Sequence, residues 1–476
     1  MTVKNERNKH ILISAFLIAL FPILKILVDS IAESGLRILS YLLCWCGVIC
    51  LVHYLRLWKK VTGGWFSMQF LFIAFCCLFN YGQCMMWAFG IHTSRELSIG
   101  SLLYSRTIIG AHDLCMTQLF TVIVLYLVNT GLLITYKERY VDYKKIQQQD
   151  SGFLNANILA AVIIVPVTFY CTIRTYISAR AYGYLALYYG DNAYSTNSVL
   201  TLISMMSFTN SMGLLIGNTE NKKSINYFVY GTTLLLYLLN FAAGDRGFVY
   251  HAMILLFWYM QRRKEQRIRI RKVIPYAVIG YVLLGFLTAV QQARRSVGFS
   301  FSDLLSVFLS ANSSPIVGAF FEMGGSMAPL LRLVQYGSNP YPYGNTFVFA
   351  LLGMISERFI SLLGLPYQSL SNYFSFTFLR LNYGAGFSFI AELYMNFGFY
   401  MGLVFALVLG LLIGRLLCIN IKGKMGELFE VATISNLIYI ARNTFQNGTK
   451  HFFYGVIAYM IIVWAISSLM NHTSRV

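Results

Sequence analysis

Long apolar runs recur along this sequence from residue 11 to residue 469, separated by short polar connectors. A helix of about 20 apolar residues spans the hydrocarbon of a bilayer and satisfies its own backbone hydrogen bonds there. Runs of this length are rarely needed in a water-soluble core. They predict an all-α, polytopic integral membrane protein with about twelve transmembrane helices. The expected spans are 11–30, 36–57, 65–90, 113–135, 154–173, 197–217, 226–243, 247–260, 273–291, 398–418, 428–445 and 451–469. Composition agrees: 57% of residues are hydrophobic and 12% are charged, whereas a soluble chain carries about 25% charged residues to solvate its surface. The even spread of runs points to a single membrane domain over 1–476, with one long extracytoplasmic loop at 292–397.

The basic residues fall in alternate connections. Lys4, Arg7 and Lys9 precede the first span, Arg56, Lys59 and Lys60 follow the second, and Lys137, Arg139, Lys144 and Lys145 follow the fourth. Lys222 and Lys223 follow the sixth, a dense cluster from Arg262 to Lys272 follows the eighth, and Lys422 and Lys424 follow the tenth. The positive-inside rule then places these loops and both termini in the cytoplasm. It also accounts for most of the formal charge of +19 without a nucleic-acid partner. The basic segment Met1–His10 leads into an apolar run with no small-residue cleavage site, as in an uncleaved first helix. The nine cysteines lie in or beside apolar runs without metal or disulfide spacing and read as small buried hydrophobes.

The long loop is itself rich in apolar segments too short to span: 347–355, 359–365 and 387–390. These read as interfacial or re-entrant helices. Tyrosines gather on the same side, among them Tyr182, Tyr341, Tyr343 and Tyr383. Interfacial anchoring is the plainer role for any one of them, and stacking on sugar rings is the sharper one.

Charges on the outer side are few, and an ionisable group in a membrane domain is a functional candidate by default. In Gly244-Asp245-Arg246-Gly247 an arginine flanked by glycines joins two apolar runs; its planar fork suits phosphate oxygens, and a tight hairpin with a local ion pair is the alternative. Arg294 and Arg295 stand where the ninth span emerges, against the positive-inside bias, with snorkelling to headgroups as the alternative. Glu322, in Phe321-Glu322-Met323-Gly324-Gly325, is a candidate base, a helix cap or an arginine's partner. Glu392 follows the small residues Gly384-Ala385-Gly386 and sits about one turn after Ser388. Its apolar setting favours the protonated carboxyl, which suits proton transfer, unless it forms a buried ion pair with an arginine. Arg442 lies at the outer end of the eleventh span, and Arg332, Glu357, Arg358 and Arg380 complete the outer set. His112 and His251 lack neighbours at ligand spacing, so no metal site is expected. There is no phosphate-cradling GxxxxGK[ST] loop and no Asp-x-Asp pair, which argues against ATP- or nucleotide-sugar-driven chemistry.

The chain resembles the Wzy-type oligosaccharide repeat-unit polymerases of O-antigen and capsule synthesis. The resemblance covers the whole topology. At residue level it rests on Gly244-Asp245-Arg246-Gly247, Phe321-Glu322-Met323-Gly324, Tyr343-Gly344 before an apolar stretch, and most specifically Gly386-Phe387-Ser388 through Ala391-Glu392-Leu393-Tyr394-Met395-Asn396-Phe397-Gly398. It implies a fold similar to the O-antigen ligases and SEDS polymerases of the C-type glycosyltransferases. It also implies an enzyme on the outer face of the bacterial cytoplasmic membrane that joins undecaprenyl-diphosphate-linked units without a cofactor. A flippase and a chain-length regulator of the same pathway would be its partners. In such chemistry Arg246, Arg295 and Arg442, with Arg294 in reserve, would stabilise the leaving diphosphate. Glu392 or Glu322 would take the acceptor's proton, and Tyr341, Tyr343 and Tyr383 would bind sugar rings. The competing readings are a flippase or transporter of lipid-linked oligosaccharides, for which the one-sided charges and the lack of repeats are a poor match, an O-antigen-type ligase, and an interaction protein without catalysis.

Overall fold

The fold was analysed in a computed structural model. The structure describes residues 3–94, 96–137, 151–182, 198–243, 248–262, 314–337, 340–365, 368–419, 421 and 423–473, with 285, 306 and 308 as isolated positions. Among these residues the protein is almost wholly helical, and nine helices are long and apolar enough to cross a membrane. It is a multi-pass membrane protein. Nine of the expected spans coincide with these helices. The other three differ. The run at 247–260 is the short helix Phe248–Arg262, and 273–291 lies outside the described residues apart from Gly285. The run at 428–445 is the helix Gly423–Ala441, which carries Lys424, Glu427 and Glu430 and so is not among the nine.

The chain divides into two compact units. The first comprises residues 1–138, 316–419 and 437–448. Its frame is α1 (Val3–Ser30), α2 (Glu33–Thr62), α3 (Met68–Ala88), α4 (Ala111–Thr135) and the long helix Phe389–Leu417, here called αL. αL runs parallel to α4 and packs on it closely. A Cβ at Gly131 would stand 2.5 Å from the backbone of Gly410 and Leu411. Gly410 and Gly414 form a GxxxG pair facing α4 at Val128 and Thr135. In lipid, small residues of this kind let two backbones approach and supply the van der Waals contact that drives helix association.

The basic tails gather at one end of this unit. Lys60 pairs with Glu6 at 2.6 Å, and Arg7 donates to the carbonyl oxygens of Leu133 and Tyr136. A cation there also complements the negative end of the α4 dipole. At the opposite end of α4 lie the connection 89–110 and a small hairpin, β1 (Leu102–Leu103) and β2 (Thr107–Ile108), with Leu102 opposite Ile108. Thr346–Leu352 and Arg358–Leu362 are short helices that expose Val348, Leu351, Phe359 and Leu362. They overlap two of the short apolar segments of the sequence, 347–355 and 359–365. The third, 387–390, instead opens αL, which begins at Phe389 rather than near 398 because Ser388 caps it.

The second unit comprises residues 139–315, 420–436 and 449–476. Its described helices include Ser151–Tyr182, Ser207–Gly217 and Tyr459–Thr473. They are joined by a buried polar knot. Asn210 Nδ2 donates to the Asn157 carbonyl at 3.0 Å and to the Tyr459 hydroxyl at 2.9 Å, and that hydroxyl donates to Asn157 Oδ1 at 2.5 Å. His251 stacks on Phe208 with ring centroids 4.2 Å apart, a packing role. Six of the nine cysteines are buried, while Cys46 is exposed.

Candidate functional site

Glu392 is buried with no solvent exposure. Its backbone lies in the first turn of αL, after the Ser388 cap, whose hydroxyl accepts from the Ala391 N–H. Both carboxyl oxygens are engaged. Oε1 accepts from Thr346 Oγ1 at 2.6 Å, and Oε2 accepts from the Phe445 backbone N–H at 2.7 Å. Asn396, one turn on, donates to Thr346 Oγ1 at 2.7 Å and to the Glu392 carbonyl at 2.8 Å, and its Oδ1 accepts from the Thr346 N–H at 2.8 Å. No arginine or lysine pairs with Glu392 among the described residues. The alternative of a buried ion pair is therefore not what these residues form. Phe347, Phe397 and Phe445 close over the network, with Phe347 lying 5.8 Å from Phe397 and 4.9 Å from Phe445 between ring centroids.

The local sequence explains this arrangement. Asn345 caps the helix Thr346–Leu352, accepting from the Phe347 and Val348 N–H groups, and so fixes Thr346 at the helix start. Gly398 takes φ 64 and ψ −164 inside αL, a conformation that only glycine adopts freely. It kinks the helix directly after Asn396 and Phe397. The Phe445 N–H is the first of a new helix, Phe445–Phe452. Glu392 thus caps a helix N-terminus from another helix, where an anion is favoured.

Arg442 lies three residues before that contact. It is exposed, and its guanidinium stands 5.8 Å from the centre of the Phe79 ring. Asn80, next along α3, donates to the Ala441 carbonyl at 3.1 Å. One turn further, Gln83 Nε2 donates to the Phe321 carbonyl at 2.7 Å. A Cβ at Gly82 would stand 2.9 Å from the Phe320 carbonyl oxygen. Residues 80 and 83 share a helix face. That face therefore holds the backbone beside Arg442 and the backbone beside Glu322 one turn apart. Glu322 itself is half-buried near the end of the helix Pro315–Gly324.

Of the sequence-predicted tyrosines, Tyr341 is 3% exposed and its hydroxyl donates to the Gln368 carbonyl at 2.9 Å. Burial, then the nearby Tyr343, Glu392 and Tyr373, holds its phenol above the usual tyrosine range. Its ring packs edge-on to Tyr343 at 5.4 Å and Tyr373 at 5.3 Å, so Tyr341 supports the half-buried Tyr343. Tyr383 is half-buried and lies beside Tyr104. Arg246, Arg294 and Arg295 lie outside the described residues. His112 bonds Asp29 through Nε2 at 2.8 Å and is exposed. Sequence reasoning missed Thr346 and the Phe445 N–H. The only local signal for Thr346 was the Asn345 cap.

These features define a polytopic helical membrane protein whose first unit brings the segments of Glu392, Glu322 and Arg442 together. The family model of the O-antigen polysaccharide polymerase Wzy matches residues 10–474, nearly the whole chain. The protein belongs to that family, whose members polymerise lipid-linked oligosaccharide repeat units in membranes. Neither a curated protein nor a solved structure matches the chain significantly.

Proposed function

We propose that the protein extends a glycan on the outer face of the cytoplasmic membrane, transferring the growing chain from undecaprenyl diphosphate to the terminal sugar of a fresh lipid-linked unit. The acceptor hydroxyl oxygen attacks the anomeric carbon of the donor. The bond from that carbon to the diphosphate breaks and the electron pair leaves with the diphosphate. Arg442 offsets the charge that develops there, and Arg246, Arg294 and Arg295 join it on sequence grounds. The hydroxyl proton passes to a carboxylate.

Between the two candidate carboxylates, accessibility favours Glu322 as the base. It is half-buried and its backbone is held one turn of α3 from that of Arg442. This pairing on the Asn80–Gln83 face is the observation that carries the reading. Glu392 is enclosed and both its oxygens are occupied, which suits a positioning role: it fixes the turn that presents Arg442. Tyr343 and Tyr383 offer half-buried rings to the sugars. The alternate basic loops support cytoplasmic termini, and a flippase would supply the lipid-linked units.

The test is purified full-length protein in vesicles containing lipid-diphosphate-linked repeat units. The reading expects one lipid diphosphate released for each unit added. Movement of intact lipid-linked units across the vesicle membrane without chain growth would instead establish a flippase.

A further inference from the structure

We propose a second oxyanion site on this chain, separate from Arg442 and Glu322, that holds the phosphate of a membrane lipid at the water–bilayer boundary. It is built from Arg106 and Arg332 at the 102–108 hairpin, with the backbone of Arg380 beside it.

Three independent observations carry it. The first is charge without a counter-charge. Arg106 Nη2 donates to the Arg380 carbonyl at 2.8 Å, and Arg332 Nη1 reaches Thr107 Oγ1 at 3.4 Å. The Arg332 side chain and the Arg380 backbone, distant in sequence, thus meet one hairpin, and among the described residues no carboxylate pairs with Arg106 or Arg332. Two arginines held at one hairpin without an acid offer an oxyanion forked, charge-assisted hydrogen bonds.

The second is backbone strain. Among the described residues four non-glycine positions have positive φ, and three of them belong to this patch: Tyr104 (φ 51), Ser105 (φ 57) and Arg380 (φ 49). The hairpin turn is closed by the Arg106 N–H donating to the Leu103 carbonyl at 3.1 Å. Two left-handed central residues make it a type I′ turn, normally built from Asn-Gly. Tyr-Ser in its place is held by its surroundings: Tyr104 packs edge-on to Phe374 at 6.4 Å and Gln335 bonds both Thr107 Oγ1 and the Ile108 carbonyl at 3.0 Å. Strain of this kind collects at binding sites.

The third gives the location. Leu102 and Ile108 face each other across the hairpin and are 63% and 67% exposed. Opposed side chains of a two-stranded pair lie on one face, so this is an apolar patch beside cationic side chains. A lipid presents that combination, an apolar chain joined to a phosphate. The hairpin stands at the opposite end of α4 from the Lys60–Glu6 tail cluster, so the arginines are not part of that inner set. The proposal requires only that this end of α4 meet the membrane surface and is independent of which carboxylate acts as base.

The experiment uses the full-length protein in vesicles of neutral phosphatidylcholine, with a photoreactive polyprenyl diphosphate as probe and peptide mapping of the label. Label on residues 102–108, reduced at least about 10-fold by the combined substitution R106Q and R332Q, is the expected result. Competition by unlabelled undecaprenyl diphosphate, and not by equal phosphatidylglycerol, identifies the lipid-linked saccharide's diphosphate as the source. Equal competition by phosphatidylglycerol identifies a phospholipid headgroup, and both support the site. Absence of label on the hairpin, or unchanged label in the double variant at an unchanged melting temperature, overturns it. Should the double variant not fold, R106Q alone, at an exposed position, must weaken the label at least several-fold or the site is rejected.

Discussion

Two buried polar knots in this molecule look alike and are built for different ends. In the second unit, Asn157, Asn210 and Tyr459 saturate one another through neutral groups. In the first, Glu392, Thr346, Asn396 and the Phe445 N–H do the same around an ionisable group. A neutral knot in an apolar setting needs only its hydrogen bonds and can be explained by packing specificity. A carboxyl without a cation among its described neighbours is much more expensive to bury. It also ties together three segments, of which one leads directly to Arg442. The difference teaches that burial of polar groups does not by itself mark a site; the charge, and what the bonded segments present, do.

The comparison can be broken at several points. The largest effect is expected at Arg442. Arg442→Gln removes the cation presented by the first knot, and chain growth in vesicles should fall about 10²–10³-fold with the melting temperature unchanged. A variant that polymerises normally would remove Arg442 from the chemistry. Thr346→Val deletes the donor to Glu392 and the acceptor for Asn396. It should slow polymerisation by roughly 5- to 150-fold, the equivalent of ~1–3 kcal/mol for an unsatisfied buried group, and Thr346→Ser should restore most of the rate. If serine does no better than valine, the hydroxyl is not what matters. The smallest effect on activity belongs to the second knot. Tyr459→Phe strands Asn210 and Asn157, so denaturant or thermal unfolding should report a loss of about 1–3 kcal/mol. Activity per folded molecule should stay at wild-type level, and a selective loss of turnover would make the two knots equivalent.

Much of the scaffold was legible before any coordinates. Run length alone located nine of the spans, because a bilayer imposes helix length directly. The Glu392 segment stood out for its small residues and glycines, all local signals, but the Ser388 cap that starts its helix at Phe389 was not read. The partners of Glu392 were not legible. Thr346 and Phe445 lie 46 and 53 residues away, and nothing in their local sequence announces a buried carboxyl. Span 428–445 was overextended at its end, since the helix stops at Ala441, just before the polar residues Arg442, Asn443 and Thr444. The arginine patch was harder still. Arg332 and Arg380 stood out only as isolated outer charges, Arg106 sat in what reads as a plain connector, and Tyr104-Ser105 carries none of the Asn-Gly chemistry that signals a hairpin.

The central claim is the division of labour between the two glutamates. The most direct measurement compares Glu322→Gln, Glu392→Gln and Glu392→Leu at equal amounts in vesicles supplied with lipid-diphosphate-linked repeat units. A glutamine at 392 can still accept from the Phe445 N–H and donate to the Thr346 hydroxyl, so a positioning role survives it. The account predicts that Glu322→Gln loses about 10²–10⁴-fold in rate, that Glu392→Gln keeps a substantial fraction of activity, and that Glu392→Leu does not. Near-normal chain growth in Glu322→Gln, with complete loss in a well-folded Glu392→Gln, would contradict it and make Glu392 the base.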